Sequence, residues 1–184
     1  MSNKKYFTMK TKSKLIEILA PFFVAISLTA FTVLFSLLCI KFGFNNLHEL
    51  LSFIPKWVII FVGCANVITF LPIFFTGFFT LSRKGAVGMA DKLRTWGIYK
   101  YVRNPMYSGV SFTFFGLGLI LGKTGLSMFG IFWLIICYFT CKWEEKYLEK
   151  RFGNNYIIYK STTPMFIPEF DKIIRDLIVS LKTR

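Results

Sequence analysis

Four apolar blocks, separated by polar and mostly basic segments, set the pattern of this chain. Ile18 to Ile40 runs for 23 positions without a charge and Trp57 to Leu81 for 25, each longer than the roughly 20 residues a helix needs to cross hydrocarbon. Between Met106 and Cys141 the only charge is Lys123, beside Gly122, which predicts two helices, 106–121 and 124–141, joined by a tight turn. At about 1.5 Å per residue each arm spans some 24 to 27 Å, slightly under the roughly 30 Å hydrocarbon thickness. Lys123 is expected to snorkel outward from the hairpin tip. The predicted fold class is therefore all-α. It is a polytopic transmembrane bundle of about four spans (18–40, 57–81, 106–121 and 124–141), forming one integral membrane domain over 1–184.

The polar segments carry their own signals. Pro21 falls near the start of the first span, where proline is tolerated, whereas Pro72 falls mid-span and is expected to kink the second. The loop from Phe42 to Lys56 has an amphipathic middle that suits the membrane interface. Good helix formers run from Trp143 to Phe152, with Gly153 as a C-cap; Trp143, Tyr147 and Leu148 share one face of that helix. Ile173, Ile174, Leu177, Ile178 and Leu181 then mark a C-terminal amphipathic helix, one of the cytoplasmic amphipathic helices expected beside the bundle, lying on the cytoplasmic leaflet or against the bundle. Asp171 is placed to cap it.

Composition agrees with lipid as the solvent: 54% of residues are hydrophobic and 23 are Phe, a membrane profile and not that of a soluble core. The charge of +14 sorts by loop. Lys4, Lys5, Lys10, Lys12 and Lys14 precede the first span, and Arg83, Lys84, Lys92, Arg94, Lys100 and Arg103 face a single acid, Asp91, before the third. The loop from Lys41 to Lys56 and the Lys123 turn are nearly bare. The positive-inside rule then puts both termini and the Arg83 to Arg103 loop in the cytoplasm. The basic excess is read as attraction to anionic headgroups, with nucleic acid excluded as a partner. No small-residue cleavage site follows the first apolar run, which reads as a retained anchor. Cys39, Cys64, Cys137 and Cys141 all lie in apolar runs and read as packing residues. No metal is expected, because the single His48 falls on the opposite side of the membrane from Cys137 and Cys141. His48 reads as an interfacial polar residue.

Two polar clusters stand out. Asn104-Pro105 opens the third span, Asn being a favoured N-cap and Pro a favoured first helical residue. That is a helix start, and equally an anion site, because free N–H groups and the positive dipole end face the headgroup zone beside Arg103. Glu144-Glu145 sits at the far end of the fourth span, where acids oppose the dipole and are costly near hydrocarbon unless paired. Since the hairpin returns the chain to its starting side, Arg103 and Glu144 are expected to be neighbours. They form either an internal ion pair or the two walls of a ligand site.

The stretches "GIYKYVRNPMYSG" and "WEEKYLEKRFGNNYIIYKSTTPMFIP" resemble the paired signature of the isoprenylcysteine carboxyl methyltransferase family and its phospholipid methyltransferase relatives. The likeness covers residues 97–168; the first two spans resemble the family only in hydrophobicity. It implies an integral membrane enzyme of a bacterial-type cell membrane that binds S-adenosyl-L-methionine at the cytoplasmic face and methylates a lipid-like or hydrophobic small molecule. By that resemblance Arg103, Asn104, Pro105 and Tyr107 belong to the first cofactor box, with Gly97, Tyr99 and Tyr101 shaping its approach. Glu144 and Glu145 are the acidic pair, and Leu148, Tyr156 and Tyr159 complete the second box. Arg103 and Glu145 are the catalytic candidates. A zwitterion with a carboxylate, ribose hydroxyls and a sulfonium wants donors, acceptors and aromatic faces together.

Two positions depart from the family pattern: Asn104 stands where eukaryotic-type members carry His, and Met165 where many bacterial-type members carry Arg. Two other functions fit parts of the sequence. A membrane sterol-type reductase using NADPH carries a similar arginine-proline-tyrosine box, but follows its tyrosine with a Gly-Glu step where this chain has Ser108-Gly109. A nonenzymatic membrane protein that binds lipid or a partner would use both clusters structurally.

The charge pattern makes one prediction directly. A cysteine placed at Lys123 should react with an impermeant maleimide only from outside, and one at Lys92 only from the cytoplasm; the reverse labelling would invert the topology.

Overall fold

The computed structural model describes residues 30–80, residue 32 apart, and 93–182. Among these residues every regular element is helical. A stretch at 30–41 (α1) leads to a short helix Leu47–Leu50 (α2) and a long one, Lys56–Thr80 (α3). A 3-10 helix, Gly97–Lys100, precedes Pro105–Leu121 (α4) and Thr124–Phe152 (α5). Two shorter helices follow, Asn154–Thr162 (α6) and Phe170–Lys182 (α7).

α3 and α5 are long and apolar enough to cross a membrane, and α4 is a shorter apolar helix. Only 17% of the most apolar 18-residue window of α3 is buried, and Trp57, Phe61, Ile68 and Phe79 lie exposed along it. In water such a surface would aggregate; in lipid it is the expected exterior. α3 matches the predicted second span within a residue at each end and runs through Pro72, whose carbonyl accepts the Thr76 hydroxyl at 2.8 Å. The first span falls mostly outside the described residues; its visible end, α1, packs Phe31 and Phe35 edge-on against Phe132 of α5 at 5.3 and 5.6 Å.

The inward faces are built from small residues. α4 buries Ser108, Gly109, Ser111, Thr113, Gly116 and Gly118, and α5 buries Thr124, Gly125, Ser127 and Gly130. Lipid tails are as apolar as Leu, so helices in a bilayer associate by close van der Waals approach, which small residues permit. A Cβ on Gly63 would stand 2.8 Å from the Gly116 carbonyl oxygen, and one on Gly116 2.8 Å from that of Gly63. Backbone therefore meets backbone where α3 crosses α4. Where side chains do meet, aromatic rings fill the space, as in the stacked pair Phe70–Phe112 at 4.2 Å.

The hairpin closes as predicted at Gly122, which takes the left-handed conformation with φ +65°, a position that favours glycine. The loop before α3 does not merely rest at the interface; it is docked on this tip. The Leu47 N–H donates to the Gly122 carbonyl at 2.8 Å, Leu47 packs with Ile59 and Leu119, and His48 Nε2 lies 2.8 Å from the Leu119 carbonyl. His48 thus satisfies one of the carbonyls left open at the end of α4.

Of two expectations about helix ends, one holds and one is corrected. The helix formers from Trp143 continue α5 without a break to Phe152, where Gly153, φ +55°, ends it as expected. Asp171 lies inside the first turn of α7 and not at its cap; there it still complements the dipole. Trp143 and Tyr147 are exposed and Leu148 half-buried, so the face they share looks outward.

The Gly63–Gly116 crossing supplies a stability test. Gly116→Val forces methyl groups into the Gly63 backbone and Asn66, and overpacking of this kind costs about 1–3 kcal/mol. The variant should lose thermal stability in detergent micelles, whereas an unchanged midpoint would mean that the helices part without cost.

Candidate functional site

The segment entering α4 is held on two sides. Gly97, φ +64°, opens the 3-10 helix. Val102 is fully buried with Phe70 and Ile73 of α3, which directs its neighbours away from that helix. On the other side the Arg103 N–H donates to the Pro164 carbonyl at 2.9 Å and the Asn104 N–H to that of Met165 at 3.2 Å. Glu169 N–H reaches the Tyr101 carbonyl at 3.1 Å. Residues 163–169 therefore strap the segment that starts α4.

Pro105 is the first residue of α4, as expected, but the Asn104 side chain makes no capping bond. Its amide nitrogen donates instead to the Met165 carbonyl at 3.3 Å. Asn104 thus fastens the strap, which explains its place better than capping does. Met165, the departure noted from the sequence, contributes here through its backbone oxygen.

Across from Arg103 stands the polar end of α5. Cys137, Cys141 and Glu145 are buried at successive four-residue steps on one face. Arg103 Nη1 lies 3.2 Å from Glu145 Oε1, with the side chains 10% and 4% exposed. The Arg–Glu pair expected of this cluster forms with Glu145; the helix turns about 100° per residue, so the two glutamates meet different partners. Glu144 accepts the Tyr107 hydroxyl at 3.3 Å. Lys160 on α6 reaches Glu145 Oε2 at 2.9 Å and Glu149 at 2.8 Å, and Lys142 lies 3.7 Å from Glu145 from a more exposed position. Lys160 was not singled out in the sequence, although it follows Tyr159 directly in the second box. Four turns of helix and a loop separate it from the glutamate it meets, and no spacing rule links them.

The tyrosines divide. Tyr156 and Tyr159 are buried on α6 with ring centroids 6.1 Å apart, and the Tyr159 hydroxyl donates to the Tyr99 carbonyl at 2.8 Å. Burial pushes the Tyr99 and Tyr156 phenols up to about 12 and raises Tyr159 as well. They are neutral donors and apolar walls at any physiological pH. Tyr101 does not join them: its hydroxyl turns to Asp176 of α7 at 2.6 Å. The hydrogen bond to Glu149, with Glu145 beside it, holds Lys160 above the usual lysine range and so charged.

Glu145 is ion-paired through Oε1 to Arg103 and through Oε2 to Lys160. Buried charges ordinarily satisfy every donor and acceptor. Here Arg103 Nε is buried with no hydrogen-bond partner, in a cluster that also holds Glu144, Tyr156 and Tyr159. Among the described residues no three metal-ligating side chains come together.

Apolar helices open to lipid, a tight hairpin and this charged cluster at its polar end define a helical membrane protein with a polar site. The phospholipid methyltransferase family matches residues 58–155, more than half of the 184 residues, and the chain belongs to that family of membrane methyltransferases. The match reaches back through α3, so the second span is family-like in more than hydrophobicity. It holds Arg103, Tyr107, Glu144 and Glu145, and ends just before Tyr156 and Lys160. No curated protein and no solved structure matches the chain.

The ion pair yields a test of its structural share. Removing one partner of a buried pair costs roughly 3–5 kcal/mol, whereas replacing both by apolar groups is often neutral. Arg103→Met should fall near the low end of that range in thermal unfolding, because Lys160 still reaches Glu145, and Arg103→Met/Glu145→Met should recover most of the loss. Equal stability of wild type and the single variant would mean that the pair is not buried.

Proposed function

We propose that this chain is an S-adenosyl-L-methionine-dependent methyltransferase that acts on a lipid-like or hydrophobic acceptor, as one integral membrane domain of four spans with both termini and the site at the cytoplasmic face. One observation carries the reading: a buried guanidinium and carboxylate, Arg103 and Glu145, gathered with a second cation, Lys160, at the polar end of the hairpin. The donor set fits the zwitterionic cofactor. Arg103 and Lys160 are cations for a carboxylate, Glu144 and Glu145 are acceptors for hydroxyls or an ammonium, and Tyr99, Tyr156 and Tyr159 are apolar walls. When bound, S-adenosyl-L-methionine supplies an electrophilic methyl group.

The chain's own part is to bind, orient and exclude water. Phenols raised to about 12 are poor bases at neutral pH, which favours an acceptor that is already nucleophilic: a carboxylate, a thiolate or an unprotonated amine. The exposed aromatic and aliphatic side chains of α3 and α5 suit an acceptor that arrives sideways through the bilayer and presents its head group at the hairpin's polar end.

Titration calorimetry with S-adenosylhomocysteine and with NADPH tests this directly. S-adenosylhomocysteine should bind and NADPH should not. Glu145→Gln, which keeps the side-chain shape, should weaken S-adenosylhomocysteine about tenfold to a hundredfold, the worth of one charge-assisted hydrogen bond of roughly 1.5 to 3 kcal/mol. Unaltered affinity in folded Glu145→Gln protein would remove Glu145 from the site.

A further inference from the structure

α7 is docked the wrong way round for a helix of a water-soluble domain. Its polar edge meets the protein: Asp176 accepts from Lys100 Nζ and from the Tyr101 hydroxyl, both at 2.6 Å, and Lys172 Nζ donates to the Lys100 carbonyl at 3.3 Å. Its apolar arc, Ile174, Leu177, Ile178 and Leu181, stays 47–65% exposed, and no residue of the helix is buried. The hydrogen bonds from Lys100 and Tyr101 hold the Asp176 carboxyl below the usual carboxylate range, so the latch is ionised at neutral pH.

Two features say what the arc meets. The latch fixes α7 to residues 100 and 101, a few residues ahead of Pro105, where the chain enters an apolar hairpin helix; the helix is thus held at the level where polar chain gives way to hydrocarbon. Cations lie on one side of the arc: Arg175 and Lys182 are exposed, while one of the two acids, Asp176, is already paired with Lys100. An apolar arc with exposed cations beside it is the composition of a helix lying in the plane of an anionic interface.

We propose that α7 is an in-plane membrane helix whose Ile174–Leu177–Ile178–Leu181 arc inserts among the acyl chains of an anionic leaflet, and that the Asp176 latch thereby sets the depth of the Tyr99–Asn104 segment. The proposal rests on the membrane placement of the chain and not on its cofactor, so a failure of S-adenosylhomocysteine to bind leaves it standing.

Spin labels at Leu177→Cys and Leu181→Cys on the arc, and at Arg175→Cys off it, test the placement in full-length protein. The protein is reconstituted in nanodiscs of phosphatidylcholine and phosphatidylglycerol, and identically treated wild type supplies the background of the native cysteines. All three positions are exposed, and size-exclusion elution with far-ultraviolet dichroism confirms folding. Collision rates with oxygen, which partitions into lipid, and with a water-soluble nickel chelate are compared. The oxygen-to-nickel ratio should be several-fold higher at 177 and 181 than at 175. Equal ratios at the three positions would put the helix in water, and low collision rates with both reagents at 177 would mean that protein covers the arc; either result overturns the proposal.

Discussion

The ion pair between Arg103 and Glu145 ties together the two polar ends of the hairpin, and most of what surrounds it serves to make that contact possible. Taking each charge out of water costs several kcal/mol, and their attraction offsets this only if the geometry is held firmly. α4 and α5 must therefore lie close together, antiparallel, with their polar ends level, which the small residues of their inward faces allow and Gly122 enforces from the far end. Val102 against α3 and the strap over Arg103 and Asn104 fix the guanidinium from its other side. Lys160 adds a second cation to the carboxylate. What remains without a partner after all this is Arg103 Nε.

Long-range order was the readable part of the sequence. Charge-free windows located α3, α4 and α5 within a residue or so at most of their ends, because burying a charge in hydrocarbon is costly enough to be absent wherever the chain crosses. The hairpin turn was marked by Gly122 and the lone Lys123. What the sequence did not carry was orientation around a helix. Two adjacent glutamates are equivalent in a one-dimensional reading, yet α5 points Glu145 at Arg103 and Glu144 at Tyr107. Asn104 stands at the N-cap position, yet its side chain is oriented by the strap, its amide nitrogen donating to the Met165 carbonyl, since local capping is worth only about 1 kcal/mol. Tyr101 sat among the motif tyrosines and faces α7.

Lys160 and the strap show a different limit. They reach the cluster from beyond the end of α5, after Gly153 has turned the chain, and only the path of that turn decides what they meet. Residues so placed become visible when the fold is known. They also lie beyond residue 155, where the phospholipid methyltransferase match ends.

The account stands on a methyl donor held beside Arg103 and Glu145 and an acceptor taken from the bilayer. The most direct measurement is transfer of label from methyl-tritiated S-adenosyl-L-methionine by the purified protein into membranes of the source cell, followed by organic extraction. The account predicts label in the organic phase, reduced about tenfold to a hundredfold with Glu145→Gln protein at sub-saturating S-adenosyl-L-methionine. Label confined to water-soluble products would contradict entry from lipid, and no transfer into any fraction by protein that binds S-adenosylhomocysteine would contradict the methyltransferase reading of the site.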